Sequence, residues 1–290
     1  MMPAPANAAG QWAAECGWSH QGQYDPTVFP GQPGMSHLHE FFGLRDVTST
    51  LGVRQIESAL RNPEKHTCLL AGDGSSYWAP ALYQNGRHIQ PSTAFAYYKS
   101  PPAAGFIEPY PIGLEMIAKV APANSPQVKN ITWYCDWDST NSGPLQNPPP
   151  CGLIEPRGQP GGSTLRDQLR LEIRFPSCWN GRLALGSVIY PAQGHCPNAY
   201  RRLLPELQLN IMYPVRFPAS GLSLASGSII TAHADFVNGW PVKLQRQLIN
   251  KCLNAGRDCG RLSNRGRQKA LNPSKPILGQ QIRSLLLAGI

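Results

Sequence analysis

Gln168-Leu169-Arg170-Leu171-Glu172-Ile173-Arg174-Phe175 alternates polar and apolar residues without a break. Successive side chains of an extended chain point to opposite faces. The stretch therefore puts Leu169, Leu171, Ile173 and Phe175 on one face and its charges on the other, as in a half-buried strand. Leu207, Leu209, Ile211 and Tyr213 repeat the pattern, which runs on to Val215 and Phe217. Residues 183–190 and 228–237 are apolar enough to predict buried strands, and Tyr77-Trp78-Ala79-Pro80-Ala81-Leu82-Tyr83 predicts another before the Asn85-Gly86 turn. Helical spacing is confined to residues 53–60, ending at Asn62-Pro63, and to a stripe of Leu244, Leu248, Ile249, Cys252 and Leu253 after Val242. Twenty-nine prolines and 28 glycines with 15% charged residues argue against long helices and for short strands joined by turns. The expected fold is mainly β, a single domain built as an antiparallel two-sheet sandwich, jelly-roll-like, with a few short peripheral helices.

A chain of 290 residues, 41% of them hydrophobic, can bury a sizeable core. We expect a flexible lead over residues 1–11, the sandwich over 12–255 and a basic extension over 256–290. The formal charge of +9 is not spread evenly: residues 1–242 carry 16 Lys/Arg against 16 Asp/Glu, and residues 243–290 carry ten Lys/Arg against Asp258 alone. A neutral body argues against a nucleic acid bound along a groove, while the basic end suggests at most an appended contact with a polyanion, or simply a solvated tail. No window approaches the roughly 18 to 20 apolar residues of a membrane span. A monomer without a membrane span is expected.

The eight cysteines, at 16, 68, 135, 151, 178, 196, 252 and 259, contain no C-x-x-C pair. That excludes zinc-finger and thioredoxin-type motifs and predicts a secreted, disulfide-stapled domain. Cys252 and Cys259 form the most local couple, and Cys135 with Cys151 would close a Pro-rich loop, part of a longer Pro/Gly/Asn loop expected over residues 139–162. The opening Met-Met-Pro-Ala-Pro-Ala has neither the positive region nor the apolar run of a secretory signal, so the expectation of secretion rests on the cysteines.

Two short patches carry ligand-type side chains two residues apart: His37 with His39, and His233 with Asp235. In an extended strand each pair faces one side. Together the four have the composition of a borderline metal site of nitrogen and oxygen ligands, suited to zinc, copper or manganese, with His37, His39 and His233 as the nitrogen donors. They serve equally as a metal-free site, with a histidine as general base, Asp235 fixing its tautomer, and Asp25 or Glu206 as the acid. Carboxylates and histidines on a sheet face also suit cleavage of a glycosidic bond, by hydrolysis or elimination. Tyr77, Trp78 and Trp240 are the candidates for a sugar-stacking platform, with core packing as the alternative. His20 and Glu40 read as supporting groups, and His66, His88 and His195 as surface groups. No nucleophile elbow, phosphate-binding loop, dinucleotide fingerprint or H-E-x-x-H helix is present.

The order of several motifs carries a resemblance. Asp25-Pro26-Thr27-Val28, Ser36-His37-Leu38-His39-Glu40-Phe41-Phe42-Gly43, Tyr77-Trp78-Ala79-Pro80, Phe175-Pro176-Ser177-Cys178-Trp179, Leu204-Pro205-Glu206-Leu207 and His233-Ala234-Asp235-Phe236-Val237-Asn238-Gly239-Trp240 resemble the domain of unknown function nineteen-ninety-six family, from about residue 16 to residue 252. The resemblance implies a secreted protein of fungi and bacteria, often joined to wall-binding or sugar-binding modules, with no settled activity. The expected function is that of a secreted or wall-associated protein acting on polysaccharide, a glycan-cleaving enzyme using the His/Asp site. The alternatives are a non-catalytic glycan-binding module and a secreted protein that binds metal through His-x-His.

Overall fold

The computed structural model describes residues 10–119, 130–135, 142–143, 148–149, 151, 168–215 and 220–263. The first part of the chain supplies β1 (Gln11–Gly22), β2 (His39–Gly43), the helix α1 (Val53–Arg61), β3 (Ser76–Pro80), β4 (Leu82–Gln84), β5 (Arg87–Ile89), β6 (Thr93–Lys99) and β7 (Glu115–Lys119). The remainder supplies β8 (Ile131–Cys135), β9 (Ser142–Gly143), β10 (Leu169–Arg174), β11 (Cys178–Trp179), β12 (Val188–Ile189), β13 (Arg202–Leu203), β14 (Glu206–Tyr213), β15 (Leu222–Leu224), β16 (Gly227–Ser228), β17 (His233–Val237), the helix α2 (Val242–Leu248) and β18 (Asp258–Leu262). The fold is mainly β, with two large antiparallel sheets in a sandwich-like arrangement.

One long strand belongs to both sheets. Residues 11–17 of β1 pair with β6, and residues 18–22 pair with β2, with a register irregularity between Trp18 and His20 where the strand passes from one sheet to the other. The first sheet runs β9-β8-β10-β14-β6-β1, and the second runs β1-β2-β3-β17-β7.

Alternation in β10 has the predicted consequence. Leu169, Leu171 and Ile173 face Tyr213, Ile211 and Leu209 of β14 and Cys135, Trp133 and Ile131 of β8, all buried on the inner side. On the outer side Glu172 accepts hydrogen bonds from Arg174 Nε at 3.0 Å and Gln208 Nε2 at 2.8 Å, so its buried charge is paired and hydrogen-bonded. Between the sheets, Trp12 stacks on Tyr98 with ring centroids 5.0 Å apart. The Tyr98 hydroxyl accepts from Trp240 Nε1 at 2.8 Å and lies 2.6 Å from that of Tyr77, which donates to Asp73 at 2.8 Å.

All eight cysteines are paired, as Cys16–Cys68, Cys135–Cys151, Cys178–Cys196 and Cys252–Cys259. Among the described residues no helix is long and apolar enough to cross a membrane.

The structure departs from the sequence reading in four places. Residues 183–190 are mostly an exposed turn rather than a buried strand, because Gly181 and Gly186 take φ of +89° and +80° and reverse the chain, leaving only β12. The apolar run 228–237 is interrupted by the 3-10 turn Ile229–Thr231, so only its end forms β17. His66 is fully buried, in a bridge opposite Leu44, and is not a surface group. The folded body also passes residue 255: β18 runs parallel to β1 and Leu262 is buried, while at the other end Gln11 already belongs to β1. Residues 1–9, 264–290 and most of the 139–162 loop lie outside the described residues.

Candidate metal centre

The candidate residues gather on the outer face of the second sheet. In β2 the alternation directs His39 and Phe41 outward and Glu40 and Phe42 to the other side, and in β17 it directs His233, Asp235 and Val237 outward. The register runs Phe41 to Trp78 to Asp235 to Ile117 across β2, β3, β17 and β7, so the two ligand-bearing strands flank β3 on one face. The segment before β2 lies over this face. The Tyr24 carbonyl meets His39 Nδ1 at 3.0 Å, and Asp25 Oδ1 accepts the Thr27 and Val28 N–H groups at 2.9 Å each. His37 stands just ahead of β2, with its ring centroid 4.3 Å from that of His39.

Three imidazoles converge. The His37 and His39 rings lie 5.0 Å and 5.7 Å from that of His233, and the three present ligand atoms within 4.8 Å of one another. A second triad, Asp25, His39 and Asp235, all buried, also brings its ligand atoms within 4.8 Å of one another, so His39 is shared between a nitrogen set and a carboxylate set. A carbonyl only accepts, so the bond to Tyr24 protonates His39 at Nδ1, and the 2.9 Å bond to the Thr231 carbonyl does the same for His233. Both rings therefore turn an Nε2 lone pair elsewhere. Nε2 of His37, Nε2 of His39 and both carboxylate oxygens of Asp235 are buried with no hydrogen-bond partner.

Burial sets the charge of the group. It lowers the pKa of His37 to about 4, with the His233 imidazole adding to the effect. His39 is pushed well below the usual histidine range by burial and then by its two neighbours, and His233 is lowered by burial despite its bond to Thr231. Asp235 moves the other way, well above the carboxylate range, through burial and the nearby carboxylates of Asp25 and Glu115. All three histidines are thus neutral at neutral pH, the form that binds a metal ion.

A family model described as Domain of unknown function (DUF1996) matches residues 25–240, a span that opens on Asp25 and encloses every member of the cluster. The chain belongs to that family. No curated protein and no solved structure matches it.

Other residues within the DUF1996 span lie elsewhere. Glu206 begins β14 on the other sheet, opposite Lys99, with Arg174 and Glu172 as its charged neighbours, so it is not a partner of the histidines. Tyr77 and Trp240 are wholly buried in the inter-sheet core and offer no stacking face. Trp78 does lie on the outer face, but it is fully buried against Phe41, with ring centroids 5.5 Å apart, and forms the floor of the centre. The second sheet is covered on both sides, which is why its aromatics are internal on either phase of the alternation. His20 stacks on Phe41 at 4.8 Å as part of the same wall. Glu40, on the opposite side of β2, is hydrogen-bonded to Trp18 and to exposed His88. The sequence reading did not pick out Tyr24, Thr231 or Glu115. The first two act through backbone carbonyls, which carry no side-chain signature. Glu115 is brought in by strand pairing across β17, where it faces Val237.

Among the described residues, one further group of potential ligands, Cys16, Cys68 and Asp73, has its sulfurs committed to a disulfide.

Proposed function

We propose that this DUF1996 protein binds a divalent first-row transition ion, zinc, copper or manganese, between His37, His39 and His233, with Asp235 beside His39 at the more buried end of the cluster. The observation that carries this reading is the set of buried, unpartnered polar atoms: the Nε2 of His37 and of His39 and both Asp235 oxygens, beside a cluster whose ring nitrogens lie within 4.8 Å. Leaving a buried polar atom unsatisfied costs about 1 to 3 kcal/mol, more for a charged one, and a cation at the three imidazoles would satisfy the two ring nitrogens, with Asp235 brought beside it through the triad that shares His39. Imidazole and carboxylate donors suit a borderline ion rather than calcium or magnesium, which prefer oxygen alone. The Tyr24 and Thr231 carbonyls, by holding the Nδ1 protons of His39 and His233, fix which ring nitrogen points at the ion. His37, half-buried, is the solvent-side member, where a water or substrate atom would enter.

A second reading is polysaccharide cleavage at the same place, by a secreted or wall-associated protein. It is supported by a carboxyl whose pKa burial raises, beside neutral imidazoles, an acid and base of the kind that glycosidic chemistry requires. Four disulfides suit an extracellular setting. One experiment separates the readings: metal analysis after dialysis against zinc, copper and manganese, run beside reducing-end release from a polysaccharide panel with and without chelator. About one ion per wild-type chain, lost in His39→Ala and Asp235→Ala, is the expected result, and no bound ion in the folded wild type would end the metal reading. Chelator-insensitive release that disappears in Asp235→Asn would establish the second.

A further inference from the structure

We infer a docking surface for an anionic lipid bilayer at one end of the small sheet formed by β11, β12 and β13, independent of the histidine cluster. Strand pairing defines that end. Cys178 and Trp179 of β11 lie opposite Leu203 and Arg202 of β13, and on the other side of β13 Ile107 bridges Leu203 in parallel. Phe106 therefore falls beside Arg202, at the end where Arg201 enters β13 and where β11 leaves into the turn of residues 180–187. That turn is held in place: Trp179 Nε1 donates to the Arg182 carbonyl at 2.6 Å, the Tyr200 hydroxyl donates to the Gly186 carbonyl at 3.4 Å, and the Cys178–Cys196 disulfide closes the base.

Two properties coincide there. Phe106, Leu183 and Leu185 are 69%, 54% and 46% exposed, three of the large apolar side chains that the fold leaves in water. The charge is predominantly positive: residues 173–205 contain Arg174, Arg182, Arg201 and Arg202 and no Asp or Glu, and the acidic Glu108 near Phe106 is paired with Arg202. Arg174 is engaged by Glu172, and Arg202 by Glu108 while stacking on the Trp179 ring at 4.2 Å. Arg182, adjacent in sequence to Leu183, and Arg201, which leads into β13, are exposed.

An acidic wall polymer would engage the guanidinium groups but has no use for a phenyl and two isobutyl side chains. A bilayer surface uses both, with the apolar tips entering the acyl boundary and the cations meeting the headgroup anions. Apolar side chains on a turn tip, rather than lining a groove, suit insertion better than the capture of a folded partner.

The test is vesicle co-sedimentation of the full chain with phosphatidylcholine alone and with phosphatidylglycerol added. Wild type is compared with Phe106→Ser/Leu183→Ser/Leu185→Ser and with Arg182→Glu/Arg201→Glu, all checked for an unchanged thermal midpoint. Wild type is expected to sediment with the anionic vesicles, and each variant to bind at least about tenfold more weakly. The basic C-terminal residues can contribute to vesicle binding on their own, so the comparison between variants is decisive. Equal binding by all three proteins overturns the proposal. So does loss in the charge-reversed variant with the apolar variant unchanged, which would mark a purely electrostatic polyanion contact, or failure of the wild type to bind either vesicle.

Discussion

At His39 the ring is fully buried, its Nδ1 is committed to the Tyr24 carbonyl at 3.0 Å, and its Nε2 has no protein partner. If a cation is that partner, zinc at 100-fold above its dissociation constant should stabilise the fold by about 2.7 kcal/mol through preferential binding to the native state. His39→Leu, which fills the space without a donor, should abolish that increment while folding in the absence of metal. Thermal scans with and without zinc check both, and an identical shift in the two proteins would remove His39 from the centre. Asp73 supplies the pH counterpart. Burial raises its pKa to about 6, above the ordinary value of 3.8, with bonds from Ser75 and Tyr77 opposing the shift. The folded chain therefore holds this proton more tightly than the unfolded chain. Its contribution is complete below about pH 4 and is lost as pH rises through about 6. The histidines of the centre, lowered by burial, act in the opposite direction, so the informative quantity is the difference between wild type and Asp73→Asn. That difference should change by up to about 3 kcal/mol between pH 4 and pH 7 in urea titrations. A pH-independent difference would mean that Asp73 is ionised in the fold.

Among the elements, β10 and β14 were legible because one face of each is apolar and the other polar, so a period of two appears directly in the sequence. The 183–190 run misled because apolar content alone does not distinguish a buried strand from a turn, and the deciding residues are Gly181 ahead of it and Gly186 within it. β2 shows how one residue holds an element in place. It ends at Gly43 with φ +85°, where a Cβ would stand 2.2 Å from the Ser75 carbonyl oxygen at the β2–β3 junction. Gly43→Ala meets both a disfavoured backbone region and a backbone clash, and should cost about 3 kcal/mol or more. The expected secondary effect is weaker metal binding, because β2 also positions His39. A urea-unfolding cost below about 1 kcal/mol would show that the junction relaxes and does not hold the register.

For the whole molecule, the sequence carried the sheet architecture further than the site. The i, i+2 spacing marked His37 with His39 and His233 with Asp235, and the pairing of β2 and β17 on either side of β3 brings them onto one face. Sequence spacing cannot say which sheet a residue joins, so Glu206 read as a neighbour although it belongs to β14. Nor can it say that both faces of a strand are covered, so Tyr77 and Trp78, on opposite faces of β3, both read as available when both are buried.

The C-terminal boundary moves for a similar reason: residues 256–262 read as the start of a basic extension, yet β18 lies along β1. Arg261 pairs with Glu15 at 3.2 Å and sits 4.8 Å over the Phe95 ring, Leu262 is buried, and Cys259 is bonded to Cys252. A chain ending at Ser263 should therefore keep the thermal midpoint of the full protein. A chain ending at residue 255 should lose roughly 3 kcal/mol or more, through the missing disulfide and the uncovered edge of β1. Residues 264–290 carry Arg265, Arg267, Lys269, Lys275 and Arg283 with no acidic residue. If these residues contact a polyanion, the chain ending at Ser263 should lose salt-sensitive retention on heparin while remaining folded. A midpoint that falls on removing only residues 264–290 would instead make them part of the folded body.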